Sequence, residues 1–307
     1  MSYPSADDVG ARVTVRRRGP DGALRDIVGE LEAADADVLA IRDRTGDLVL
    51  VNAADIVAAR VVGPSPREAI ELEAVSGRGW PASDEEWLGR WWLRAADGFT
   101  RRANSLRPLG SPGIDLDAAL ARVIEWYGAR GLPPRARVVV GTSYDRELAG
   151  RGWAPHAQTI VMAATCARVS GRLRARGRGV GEVEIARDPS SPWLRLFREG
   201  PLPLVARRAL GGERVAFAQI LDAAGAVAIG RASVENPWVG LTAIEVRPDA
   251  RRRGHARAIV DALLAWAAGA GAGRTYLEVL ASNTPAITLY ESLGFAEHHR
   301  YVYREHV

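Results

Sequence analysis

Leu241-Thr-Ala-Ile-Glu-Val246, Arg251-Arg-Arg-Gly254-His-Ala256 and the amphipathic run from Ala258 to Ala268 stand in succession, and their reading decides the fold. The first is apolar and short enough for a strand. The last carries its apolar residues at helical spacing. Between them, Arg251-x-x-Gly254-x-Ala256 is a turn whose consecutive backbone N–H groups sit at a helix N-terminus. Unpaired amides and the positive end of the helix dipole both favour a polyanion there. Short glycine patterns occur by chance, so the turn alone is a weak signal. Asn283-x-x-Ala286-x-x-Leu289-Tyr290-x-x-x-Gly294-Phe295 follows in order and makes the set specific.

Together these residues resemble the GNAT superfamily of N-acetyltransferases, with the likeness covering about residues 178–307. The resemblance implies a mixed α/β sheet and acetyl-CoA as co-substrate, with no metal. It implies that Arg251, Gly254 and Ala256 hold the pyrophosphate, with Arg252, Arg253 and the backbone of His255 in the same turn. It places Asn283 and Phe295 at either end of a helix packed against the cofactor, and makes Tyr290 the acid that protonates the departing thiolate. It also implies that a backbone N–H of the Ile244–Val246 strand stabilises the carbonyl oxygen, at a bulge that splays this strand from its neighbour.

Acetyl transfer to an amine requires a neutral amine, a stabilised carbonyl oxygen and a leaving thiolate. A lysine-type amine has a pKa of about 10.4, so a carboxylate or ordered water must take its proton. Glu245 is the nearest carboxylate, on the strand feeding the turn, and alternation sets it on the opposite face from Ile244 and Val246. A base or relay role stands beside a merely solvent-exposed one, and Glu278 on the next strand is the reserve. A free tyrosine is about 1.5 pKa units less acidic than an alkyl thiol. Tyr290 must therefore act in concert with C–S cleavage or lie near positive charge.

Composition limits the alternatives. The chain has 307 residues, 47% of them apolar, enough for two or three globular domains. No apolar run reaches spanning length, and Met1-Ser-Tyr-Pro4 lacks a signal pattern. With one cysteine, Cys166, no intramolecular disulfide forms, and a buried thiol in a cytoplasmic protein is the expectation. All 41 basic residues are arginine, yet the excess over acidic residues is only four. Nucleic acid is therefore not expected as a partner. The densest run, Arg172 to Arg178, lacks interleaved aromatics and reads as a solvated linker. His298, His299 and His306 have no metal-ligand spacing.

Residues 1–63 read as five short strands, around Val13, Ile27, Val38, Leu48 and Ile56, with one helical turn at Asn52–Asp55. This suggests a small all-β, SH3-like barrel, resembling the barrel that precedes some bacterial GNAT chains. Gly63-Pro-Ser-Pro66 opens a linker expected over residues 64–79.

Residues 80–168 look like a degenerate copy of the catalytic half at 178–307. Arg107-Pro108 precedes Trp126 by nineteen residues, as Arg247-Pro248 precedes Trp266. Each helix is followed by a glycine loop, a strand, a helix ending Arg151-Gly-Trp153 or Leu293-Gly-Phe295, and a final strand. An unrelated α/β insertion is the alternative. The first copy has Ser111-Pro-Gly-Ile-Asp115 where the second has its phosphate turn. Proline removes an amide and Asp115 repels phosphate, so that copy is not expected to hold a cofactor.

The acceptor is not legible. Trp87, Trp91 and Trp92 are read at helical spacing, as core or as an acceptor wall. The polar stretch Gly98–Ser105 lines the cleft between copies or bonds between domains. A small-molecule amine acetyltransferase, a protein or peptide amine acetyltransferase, and a non-catalytic acyl-CoA-binding module all remain open, although an intact Tyr290 disfavours the last.

Overall fold

The computed structural model describes residues 3–175, 182–198 and 202–306. The chain divides into two compact units, residues 1–65 and 66–307.

In the first unit, β1 (Arg12–Arg18), β2 (Leu24–Ala34), β3 (Val38–Asp43), β4 (Leu48–Asn52) and β5 (Ile56–Val61) form one antiparallel sheet, ordered β4-β3-β2-β1-β5. Strand alternation turns Val13, Val15, Leu31, Leu39, Ile41 and Val51 inward as its core. A single 3-10 turn, Ala53–Asp55, precedes β5 as the sequence suggests.

The second unit opens with α1 (Pro66–Arg78), so residues 64–79 are not a linker. Ala69, Leu72, Glu73, Ser76 and Gly77 form its buried stripe at helical spacing, and that stripe fixes the helix in the unit. Next come β6 (Asp84–Leu88), β7 (Trp91–Ala95) and β8 (Arg107–Pro108), a separate antiparallel sheet. The three tryptophans therefore lie on a hairpin rather than a helix. Trp91 and Trp92 are buried and the exposed Trp87 stacks on Trp92 at 5.2 Å. The rest of the first copy is α2 (Leu116–Gly128), β9 (Arg135–Val139), α3 (Ser143–Gly150) and β10 (Ala154–Thr165).

Helix α4 (Cys166–Ala175) carries Arg172 and Arg174, so the start of the arginine run is helical, and Arg176 and Arg178 lie outside the described residues. Cys166 is buried, which pushes its thiol up to about 11. The second copy follows as β11 (Glu184–Ala186), α5 (Ser191–Phe197), α6 (Leu204–Leu210), β12 (Val215–Asp222), β13 (Gly225–Glu235) and β14 (Trp238–Val246). It ends with α7 (His255–Gly269), β15 (Arg274–Leu280), α8 (Thr284–Ser292) and β16 (Ala296–Glu305).

The eight-stranded sheet of this unit runs β11-β12-β13-β14-β15-β10-β16-β9. The final strands of the two copies are exchanged: β10 pairs with β15 of the second copy, and β16 pairs with β9 of the first. The exchanged strands pair with each other, Thr159 opposite Tyr301. The repeat expected from spacing is thus present as tandem copies. They share one sheet, so 80–168 and 178–307 are halves of one compact unit. The main core lies between this sheet and α4, α7 and α8, around Ile259, Leu263, Leu277 and Leu293.

Candidate active site

The pairing of β14 with β15 is parallel and runs from Trp238↔Arg274 to Leu241↔Leu277. Beyond Leu241 the two strands have no further paired residues, so the sheet opens there. On its other edge β14 stays paired with β13, but Ile229 faces Glu245 whereas Arg231 faces Thr242. One extra residue is inserted on β14, and Ala243 takes φ 51°. A β-bulge of this kind bends the strand and re-aims its amides. The bulge expected at Ile244–Val246 is therefore built at Ala243, the residue immediately before that segment.

Ile244 and Val246 pack against the main core. Glu245 is exposed and shares a sheet face with its partner Ile229, as alternation predicts. Partial burial raises its pKa, and Arg251 opposes the rise.

From Val246 the chain passes through a 3-10 turn, Pro248–Ala250, into the loop before α7. Arg251, Arg252 and Arg253 are exposed, and Arg252 has φ 64°. Gly254 is the N-cap of α7 with φ 91°, no side-chain capping bond and no acidic residue in the first turn. That conformation suits glycine, because a Cβ is strained at positive φ. His255 is buried and Ala256 half-buried in the first turn. A helix start without its own carboxylate cap, flanked by three arginines, fits a polyphosphate such as that of CoA.

The corresponding place in the first copy is filled. Asp115 caps α2 with its own carboxylate, accepting from the amides of Asp117 at 2.9 Å and Ala118 at 3.2 Å. The Ser111–Gly113 loop folds onto the β6–β7 turn, where Arg90 N donates to Ser111 O at 2.8 Å. A Cβ on Gly89 would meet Pro112 backbone at 2.4 Å. The amides that a phosphate would use at this helix start are thus already taken by the Asp115 carboxylate.

Asn283 caps α8 by accepting from Ala286 N at 3.3 Å, which orients the helix that carries Tyr290. Tyr290 is buried in the main core, with the ring of Phe295 edge-on at 5.9 Å. Phe295 is itself buried, so its part is to hold the tyrosine ring. Burial pushes the Tyr290 phenol up to about 12. Burial alone accounts for this rise.

A cleft of about 250 Å³ opens beside Ala243. Its walls include Trp80, Arg101, Arg102, Glu278 and Tyr301, but neither Glu245 nor Tyr290. The Gly98–Ser105 stretch thus lines the cleft between copies, through Thr100, Arg101 and Arg102. Arg101–Ala103 is a 3-10 turn. The buried Asn104 side chain pins this loop, accepting from Ala96 N and Gly98 N and donating to Phe99 O and Thr100 O.

Glu278 is a poor base. Four donors reach its carboxylate: Arg102 Nε at 3.0 Å, Arg137 Nη1 and Nη2 at 3.0 and 2.8 Å, and Tyr301 Oη at 3.1 Å. Three of these contacts converge on Oε2 and one falls on Oε1. Burial alone would raise its pKa, but Arg102 and Arg137 outweigh it and hold the group far below the usual range.

Behind Glu278 lies a buried ionic cluster that the sequence reading missed. Glu73 of α1 receives Arg137 twice at 2.6 Å, Arg107 at 2.9 Å and His299 Nε2 at 3.0 Å. Its members come from residues 73 to 299, so no local spacing reveals them. The available signal was Glu73 on the apolar stripe of α1, between Leu72 and Ser76. His299 therefore partners a carboxylate. No group of side chains with metal-binding composition occurs among the described residues.

Burial opposes the charge on Glu73, yet Arg137 and Arg107 hold its pKa down at about 2. Glu73→Ala leaves buried guanidinium charge uncompensated, and the expected loss is about 3–5 kcal/mol in denaturant unfolding at neutral pH. With the folded pKa depressed, this stabilisation is present above the ordinary value of 4.5 and is lost as pH falls towards 2. The mutant's deficit should therefore shrink in acid; an equal deficit at pH 2.5 and pH 7 would contradict the charge argument.

Residues 68–304 match the family described as "Probable histone acetyltransferase Rv0428c C-terminal", and residues 7–60 match "Rv0428c N-terminal Sm-like domain". The chain is 34% identical to the "Probable histone acetyltransferase Rv0428c" of Mycobacterium tuberculosis, over 97% of this chain and 95% of that one. The chain belongs to the GNAT family of N-acetyltransferases. A GCN5-related N-acetyltransferase from Kribbella flavida shares the GNAT architecture at TM-score 0.59 and 14% identity, covering 78% of this chain and 96% of that one. A tandem GNAT protein from the clavulanic acid biosynthesis pathway does so at TM-score 0.53 and 13% identity, covering 80% and 90%. The fold is thus a tandem GNAT preceded by a small all-β Sm-like unit. No helix among the described residues is long and apolar enough to cross a membrane.

Proposed function

We propose that this protein moves an acetyl group from acetyl-CoA to a primary amine, using its second copy alone. The observation that carries this reading is the contrast between the two helix starts: α7 uncapped behind Arg251–Gly254, α2 capped by Asp115. The Arg251–Ala256 turn holds the pyrophosphate, and Asn283 and Phe295 set α8 against the cofactor. Acetyl-CoA supplies the acyl group as a thioester, whose carbonyl lies in the β14–β15 opening.

A backbone N–H of the Ile244–Val246 segment, released by the bulge at Ala243, stabilises the carbonyl oxygen, an effect of roughly 3 kcal/mol for one well-placed donor. The amine nitrogen forms a bond to the carbonyl carbon as the C–S bond breaks. Glu245, directly or through water, takes the proton the amine loses. Tyr290 gives its proton to the sulfur in concert with cleavage, because a phenol at about 12 does not ionise ahead of a thiol.

Acetyl-CoA consumption over a panel of amines and peptides, with product mass, tests the reading. The expected product is an N-acetylated amine. With Glu245 as base, the rate should fall on the acid side at a pH higher than the ordinary glutamate value of 4.5, since its pKa is raised. Binding of acetyl-CoA with no acetylated product from any amine or peptide would favour a non-catalytic acyl-CoA-binding module.

The Sm-like unit is not required for cofactor binding on this account, because residues 66–307 form a compact unit containing every proposed site residue. A chain truncated to begin at Pro64 should fold and bind acetyl-CoA within about threefold of the full chain. A folded truncation without that affinity would overturn the division of labour.

A further inference from the structure

We propose that the acceptor is a small amine carrying a carboxylate or comparable anionic group, recognised by Arg101 and Arg102 at the mouth of the cleft beside the β14–β15 opening. This rests on the acetyltransferase reading above and names the substrate class of that same site.

The charge arrangement carries the argument. Arg101, Arg102 and Glu278 are the charged side chains lining the cleft. Glu278 is already ion-paired with the Arg102 and Arg137 guanidinium groups and accepts from Tyr301 Oη, so its charge is balanced within the protein rather than offered to an ammonium. Arg102 is half committed, bridging Glu278 and lying over Trp80 at 5.1 Å. Arg101 is exposed, lies 5.7 Å over the Tyr303 ring and forms no ion pair among the described residues. The wall therefore presents a net positive charge to whatever enters.

The cationic wall is rigidly built. Asn104 makes four bonds to the backbone of the loop, and Thr100, at φ 60°, accepts a bond from Trp80 Nε1 at 3.1 Å. Strained backbone held by buried bonds fixes side chains at a site. Guanidinium groups pair geometrically with carboxylates. A polycationic peptide would instead meet repulsion from this net positive lining, whose one carboxylate is already ion-paired. At about 250 Å³, the cleft is smaller than the usual ~300–1,000 Å³ of ligand pockets, which suits a molecule of amino-acid size.

The test uses the full chain, acetyl-CoA and matched pairs of ω-amino acids and ω-amino amides, which share an amine and differ in the anion. A lysine-rich, histone-like peptide is the macromolecular arm. Acetylation rates are read as kcat/KM, alongside calorimetric binding of each amine to the CoA-loaded protein. The expected result is at least a tenfold preference for the carboxylate member. Arg101→Gln should reduce that preference to near unity, and Arg101→Lys should restore part of it. Preference for the amides or the peptide, a preference unmoved by Arg101→Gln, or no binding of any carboxylate member by a protein that binds CoA would overturn the inference. Failure to bind CoA at all would instead defeat the reading on which it rests.

Discussion

Tyr290→Phe is expected to lower turnover by roughly 100- to 10,000-fold, the usual contribution of a general acid, while acetyl-CoA affinity changes by less than about threefold. The phenylalanine keeps the ring that packs against Phe295 and the main core, so stability should hardly move. Only the proton is lost. Because burial sets the phenol at about 12, Tyr290 stays protonated through the neutral and moderately basic range. A basic limb between pH 8 and 10 therefore belongs to another group and should survive in the variant. Near-wild-type turnover in Tyr290→Phe, with the chemical step shown to be rate-limiting, would remove the tyrosine from the mechanism and leave thiolate protonation to water.

The catalytic half was legible because its signals are local. A strand, an arginine–glycine turn and an amphipathic helix follow one another between Trp238 and Gly269, and each behaves as its composition dictates. Local alternation likewise placed Glu245 opposite Ile244 and Val246. What local pattern could not supply was pairing between distant segments. The exchange of β10 and β16 depends on which strand edge is free once both copies have folded, and either arrangement satisfies the same sequence. The tryptophans misled for a related reason. Residues 87, 91 and 92 fit a helical face, yet Gly89-Arg90 is a turn, and the hairpin it makes buries Trp91 and Trp92.

The proposed acceptor cleft was the least legible part. Glu278 looked like a spare base on its own strand; only the fold brings Arg102, Arg137 and Tyr301 onto it. The proposed cofactor contacts could be named from the resemblance because they involve backbone and one contiguous loop. The cleft is built from residue 80 to residue 303, and its charge emerges only when those segments are assembled.

Gly254→Asp has the largest expected effect on the cofactor. Gly254 sits at φ 91° at the N-cap of α7, where a side chain is strained and a carboxylate would occupy the phosphate position, as Asp115 does at α2. Both effects act against a polyanion, so binding should fall below detection while the fold persists. Calorimetric titration of the full chain with acetyl-CoA, wild type beside Gly254→Asp, is the most direct measurement. The account predicts one site per chain in the wild type and none in the variant. Two equivalent sites per chain, or one site undiminished in Gly254→Asp, would contradict it.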